Sequence, residues 1–166
     1  LEAALALPEG ESYRDEAFEF FREQLHVERP PEFRSLSVDI LLAARLAPNQ
    51  RQQLAQALAT TGPAELKRLL PALAEGDDAR LGRAVVQALL PNPVAAAPDP
   101  ATVESELAVY GDAVADDLAT LVDRIHAASG ERLARIEAIV AAVDAGEGDV
   151  RRGLAVFRSS KAACSS

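Results

Sequence analysis

The stretch Pro48-Asn49-Gln50-Arg51-Gln52-Gln53-Leu54 followed, after a short gap, by Gly62-Pro63-Ala64-Glu65-Leu66 decides the fold class. Proline is tolerated at the first helical position, where its missing N–H would be unsatisfied anyway and its φ already suits a helix. Pro48 therefore opens a helix that runs to about Ala59, with Gln50 two residues on. The same device recurs at Gly62-Pro63, with Glu65 in the first turn, where negative charge suits the helix dipole. Leu66, Leu69, Leu70 and Leu73 then line one face, Gly76 ends the segment, and Asp77 or Asp78 caps a further helix that stops at Pro91.

Working outward, the pattern repeats. Ser12 can cap a helix from Tyr13 to about His26, with Asp15 and Glu16 in its first turn. Phe18, Phe21 and Leu25 fall on its core side and Phe20 does not. Five of the seven aromatic residues lie within residues 13–33, which reads as a packed terminal cap or, alternatively, as a contact with a further domain. Pro30 and Pro31 break the chain. A helix follows from about Glu32 to Leu46, with Leu36, Ile40, Ala43 and Ala47 on one face. Four prolines in residues 91–100 make a semi-rigid, extended connector. Pro100 starts the next helix, Gly111-Asp112 restarts it, and Val114, Leu118, Leu121, Val122 and Ile125 keep helical spacing. Ser129-Gly130 predicts another break. Leu133, Ile136, Ile139, Val140 and Val143 form the next core stripe.

Composition agrees. Of 166 residues, 34 are Ala and 22 are Leu, both strong helix formers, and β-branched residues occur singly rather than in alternating strips. The expected fold is all-α: antiparallel helix pairs joined by short turns, with stripes wider than a coiled-coil seam, stacked as a HEAT- or armadillo-like α-solenoid. The longest unbroken apolar run, Ala138 to Val143, is far short of the ~20 residues a membrane helix needs, so no membrane insertion is expected. With no Met in the chain, residue 1 is expected to be a processed or internal position of a longer polypeptide.

Charge divides the chain. Residues 1–100 carry a net −5, residues 101–149 a net −8, and residues 150–166 a net +4 from Arg151, Arg152, Arg158 and Lys161. The acidic body disfavours nucleic acid as a partner. The sign reversal, together with the hinge-like glycines Gly146 and Gly148, predicts two domains: a helical domain over 1–148 and a separate segment over 149–166.

Catalytic signatures are sparse. There is no glycine-rich phosphate loop, no His-Glu-x-x-His and no Gly-x-Ser-x-Gly. His26 and His126 read as isolated residues near helix ends. Asp112, Asp116, Asp117 and Asp123 spread around a helix as a solvated acidic face rather than a cation site. One cysteine excludes an intrachain disulfide. The chain is expected not to be an enzyme in itself.

The end carries the most information. Asp149 caps a short helix in which Gly153 and Phe157 are one turn apart on one face, and Cys164 lies seven residues beyond Phe157. This pattern, Gly-Asp-x-x-x-Gly-x-x-x-Phe followed by Ala-Ala-Cys-x-x, resembles the N-terminal helix of a class I c-type cytochrome domain. The resemblance implies that Gly153 and Phe157 pack against a terminal helix of that domain. It also implies that Cys164 is the first haem-attaching cysteine of a Cys-x-x-Cys-His motif, with Ser165 and Ser166 as the spacers. The second Cys and the His are absent from the 166 residues, so no cofactor is expected on this segment and haem c is expected in the longer protein.

The wider chain, roughly residues 33–166, is similar to the segment preceding that motif in large haem-binding proteins of planctomycetes and verrucomicrobia. Those combine a sorbosone-dehydrogenase-like β-propeller, HEAT-like helices and a cytochrome c domain. The resemblance implies a spacer between a propeller before it and a cytochrome module after it, in a periplasmic or otherwise extracytoplasmic protein that passes electrons from sugar or alcohol oxidation to haem. The alternatives are a stand-alone helical repeat scaffold for protein partners and, third, a small-molecule-binding bundle.

Overall fold

The computed structural model describes residues 15–75, 78–96, 100–146 and 148–159. Eight α-helices account for most of them: α1 (Asp15–Glu23), α2 (Pro31–Ala43), α3 (Pro48–Ala57), α4 (Pro63–Leu73), α5 (Ala79–Leu89), α6 (Pro100–Leu107), α7 (Ala115–Asp144) and α8 (Val150–Phe157). No strand occurs among the described residues; extended pairing is limited to an isolated antiparallel bridge between His26 and Thr61. The protein is all-α. The chain divides into two compact units, Leu1–Ala128 and Ser129–Ser166.

In the first unit the helix starts are those the prolines dictate. Pro31, Pro48 and Pro63 each stand in the first turn of their helix. Ala47, ahead of Pro48, is extended at ψ 157°, because the ring of a following proline disfavours the helical region. The expected continuation of α2 to Leu46 does not occur: the helix ends at Ala43 and Ala44 is already extended at ψ 145°. Gln50 is the third residue of α3. Its side-chain oxygen accepts from the Ala47 N–H at 3.1 Å, and its amide donates to Asp15 Oδ1 at 3.1 Å, linking the starts of α3 and α1. Asp78 caps α5 by accepting from Arg80 N at 2.8 Å. Ser12, Tyr13, Gly76 and Asp77, where other starts and stops were expected, lie outside the described residues.

The core follows the helical periodicity in α1 and α4, whereas in α2 Ile40 is buried with Val38 and Leu41 and Ala43 of the expected face is exposed. Phe18, Phe21 and Leu25 are buried while Phe20 is half exposed. Leu66, Leu69, Leu70 and Leu73 are all buried, as are Val114, Leu121 and Ile125. Alternate helices pack together: α1 and α3 on α5's side of the chain order (α1 with α3, α3 with α5), and α2 with α4. α1 also packs on α2.

The proline-rich connector is anchored rather than simply extended. Asn92 is buried, donating its amide to Leu58 O at 2.5 Å and Thr61 O at 3.0 Å and accepting from Val94 N at 2.9 Å. A 3₁₀ turn over Pro93–Ala96 follows, and Ala95 is buried. Arg124 of α7 donates to Asn92 O at 2.6 Å and Leu89 O at 3.3 Å, adding a side-chain bond to carbonyls that already accept from Ala95 N and Asn92 N. After α6 the chain passes through a 3₁₀ segment, Ala108–Ala113, in which Gly111 takes φ +56°. That conformation is costly for any residue with a Cβ, so glycine is what permits the turn into α7.

Tyr110 is buried against α5 and donates its hydroxyl to Leu73 O. Burial pushes its phenol pKa above the ordinary 10.0; Arg51 lowers it and Asp78 raises it, both to lesser extents. A pKa raised by folding contributes stability that is fully present below the unfolded value and is lost as pH rises through the folded one. Chemical denaturation midpoints should therefore hold up to about pH 10 and fall above it. Tyr110→Phe should flatten that decline, and a decline unchanged in Tyr110→Phe would assign it to other groups.

The second unit departs from expectation. α7 does not break at Ser129-Gly130 but runs without interruption from Ala115 to Asp144. A single glycine costs a helix only about 1 kcal/mol relative to Ala, and Gly130 is flanked by good helix formers. His126 consequently sits inside a long helix, exposed, and not near a helix end. The predicted core stripe is exposed: Leu133 61%, Ile136 49%, Ile139 55%, Val140 51% and Val143 68%.

Candidate functional site

The residues singled out by the sequence lie in or beyond α8. Asp149 accepts from Arg151 N at 2.9 Å and Arg152 N at 3.1 Å, a well-formed N-cap. The last turn closes with Arg158 N donating to Leu154 O at 3.1 Å. Gly153 and Phe157 are both within this helix, and their four-residue spacing sets them on one face. Nothing lies within 4 Å of where a Gly153 Cβ would project. Phe157 is 51% exposed, and Val150, Leu154 and Val156 are exposed with it. The helix thus presents a glycine notch beside an aromatic ring, a surface that a second helix can approach closely. Cys164 lies outside the described residues.

Elsewhere several polar groups are engaged in structure. Among the described residues no group of three or more His, Cys, Asp or Glu is placed to hold a metal ion. Asp117 accepts from Gln87 at 2.7 Å, and Asp116 offers its carbonyl to Thr120. A cavity of about 680 Å³ is lined by Arg22, Glu23, His26, Glu28, Arg29 and Thr60 among others. Arg22 is committed to Glu19 within α1. His26 Nδ1 accepts from the Glu28 N–H at 3.3 Å and lies 3.9 Å from Glu28 Oε2. Side chains of both charge signs line this open cavity. No described helix is long and apolar enough to cross a membrane.

Sequence periodicity identified an apolar face over residues 133–143 but assigned it to a core. Its exposure is the feature of the second unit that the sequence did not reveal. The only signal was the spacing itself, which marks a face as apolar without saying what covers it.

Comparison with protein-family models, with characterised proteins and with solved structures finds no match to this chain.

Proposed function

We propose that this chain is a non-catalytic helical spacer in a larger, extracytoplasmic, haem c-containing dehydrogenase-like protein, and that α8 is the first helix of its electron-transfer module. The observation that carries this reading is α8 itself: a capped helix with an open glycine and a half-exposed phenylalanine on one face, followed by Cys164. Such a helix has lost nothing locally and awaits a packing partner. The stacking of α1 on α3, α3 on α5, and α2 on α4 is compatible with a two-layer, HEAT-like spacer.

In this reading Cys164 would hold haem through one thioether when the cofactor is bound, Gly153 would let the module's terminal helix approach, and Phe157 would fill the space beside it. Haem supplies the one-electron chemistry. The residues of this chain supply attachment and position, holding the module at a fixed separation from a preceding β-propeller.

Two measurements test it. Residues 1–166 alone, produced with c-type cytochrome maturation factors, should purify without covalent haem, because the ligand set needs a second Cys and a His. The full-length polypeptide, produced the same way, should carry haem that survives denaturing electrophoresis, and Cys164→Ala should abolish two-thioether attachment. A haem-free full-length protein would sink the proposal.

The second reading, a stand-alone helical scaffold for protein partners, is favoured by the exposed stripe on α7. It predicts that residues after Ser166 carry no Cys-His pair.

A further inference from the structure

The stripe on α7 has an internal order that singles out one occupant. Leu133, Ile136, Val140 and Val143 are spaced three, four and three residues apart. That is the a, d, a, d rhythm of a helix seam, with Ile139 broadening one flank. Each of the four is about half exposed or more, and together they form a contiguous face rather than the scattered apolar residues normal on a surface. In the same frame Arg132 falls at position g and Glu137 at the following position e. In a parallel pair of helices g of one strand faces the next e of the other. Two copies of this chain would therefore set Arg132 of each against Glu137 of the other. An antiparallel pair instead sets e against e, which here means Glu137 and Asp144 against the same acids. The face lies on one continuous helix, so little further ordering of its backbone is needed on association.

We infer that residues 133–143 are a homodimerisation surface, on which two copies pair in parallel through Leu133, Ile136, Val140 and Val143, with the register set by Arg132 and Glu137. This does not depend on the haem reading and concerns a different helix.

Sedimentation of the 166-residue chain over a wide concentration range tests it. The expected result is a reversible monomer–dimer equilibrium that Ile136→Glu abolishes. Arg132→Glu and Glu137→Arg should each weaken the dimer by about tenfold or more, since each places like charges across the seam twice. The double reversal should restore it to within about threefold. Direction is read separately: Val143→Cys in a Cys164→Ser background should oxidise to a covalent dimer, because d positions face each other only in the parallel arrangement. A chain that stays monomeric at every concentration overturns the inference, as does a dimer indifferent to Ile136→Glu. A dimer that fails to cross-link through position 143 overturns the parallel register.

Discussion

Replacing Arg34 with Leu should cost the first unit about 3–5 kcal/mol, the penalty of leaving a buried charge without its partner. Arg34 on α2 lies with Nη1 3.4 Å from Oε2 of Glu65, in the first turn of α4, and the two side chains are only 14% and 5% exposed. Neither Arg34 Nε nor Glu65 Oε2 has a hydrogen-bond partner, so the counter-charge is the main compensation for burying the carboxylate. Gly62 makes room for the pair: a Cβ there would lie 2.5 Å from Nη1 and 2.6 Å from Oε2. The helix dipole at the start of α4 favours the Glu65 charge by at most about 2 kcal/mol, too little to replace Arg34. Because the pair is costly to bury in the first place, Arg34→Leu combined with Glu65→Leu should recover most of the loss. Urea unfolding of the two variants checks this. A single variant within about 1 kcal/mol of the parent would mean that water reaches Glu65.

Gly82→Val should be comparably damaging, by about 3–4 kcal/mol, summing overpacking and a lost buried hydrogen bond. Gly82 lies within α5 against the ring of Tyr110. A Cβ at that position would sit 2.7 Å from Cδ1 and 2.8 Å from Cβ of Tyr110, with Cγ closer still. These are the near end of the side chain, which cannot move aside without moving the 3₁₀ segment that carries it. Displacing Tyr110 also removes its hydroxyl from Leu73 O, where the bond is buried. Valine and glycine differ little in helix propensity by comparison, well under 1 kcal/mol. Thermal unfolding gives the magnitude, and the coupling identifies the cause. In a Tyr110→Gly background, which also removes the Cβ that a residue at 82 would meet at 2.8 Å, the same Gly82 substitution should be close to neutral. A full effect in that background would place the damage elsewhere.

Much of the fold was readable because it is local. Proline at a first turn and aspartate before a helix act through the backbone of their own few residues, so Pro31, Pro48, Pro63, Asp78 and Asp149 mark helix starts whatever surrounds them. Three-to-four-residue spacing likewise chose the buried members of α1 and α4: Phe18 over Phe20, and Leu66, Leu69, Leu70 and Leu73. Gly130 shows the limit of local punctuation, since its penalty of about 1 kcal/mol is smaller than the combined propensity of its neighbours in a 30-residue helix.

The sequence by itself determined that this protein is all-α, where most of its helices begin, and which residues of α8 share a face, because hydrogen bonding within a turn and side-chain period are set by near neighbours. Only the tertiary structure decided which apolar faces are covered. The stripe at Leu121 and Ile125 is buried and the one at Leu133 to Val143, on the same helix, is exposed. It also decided that Asn92 anchors a connector to Leu58 and Thr61, more than thirty residues away, and that Arg34 meets Glu65 beside Gly62. Those pairings depend on how segments distant in the chain come to lie side by side, and no residue's own propensity carries that information.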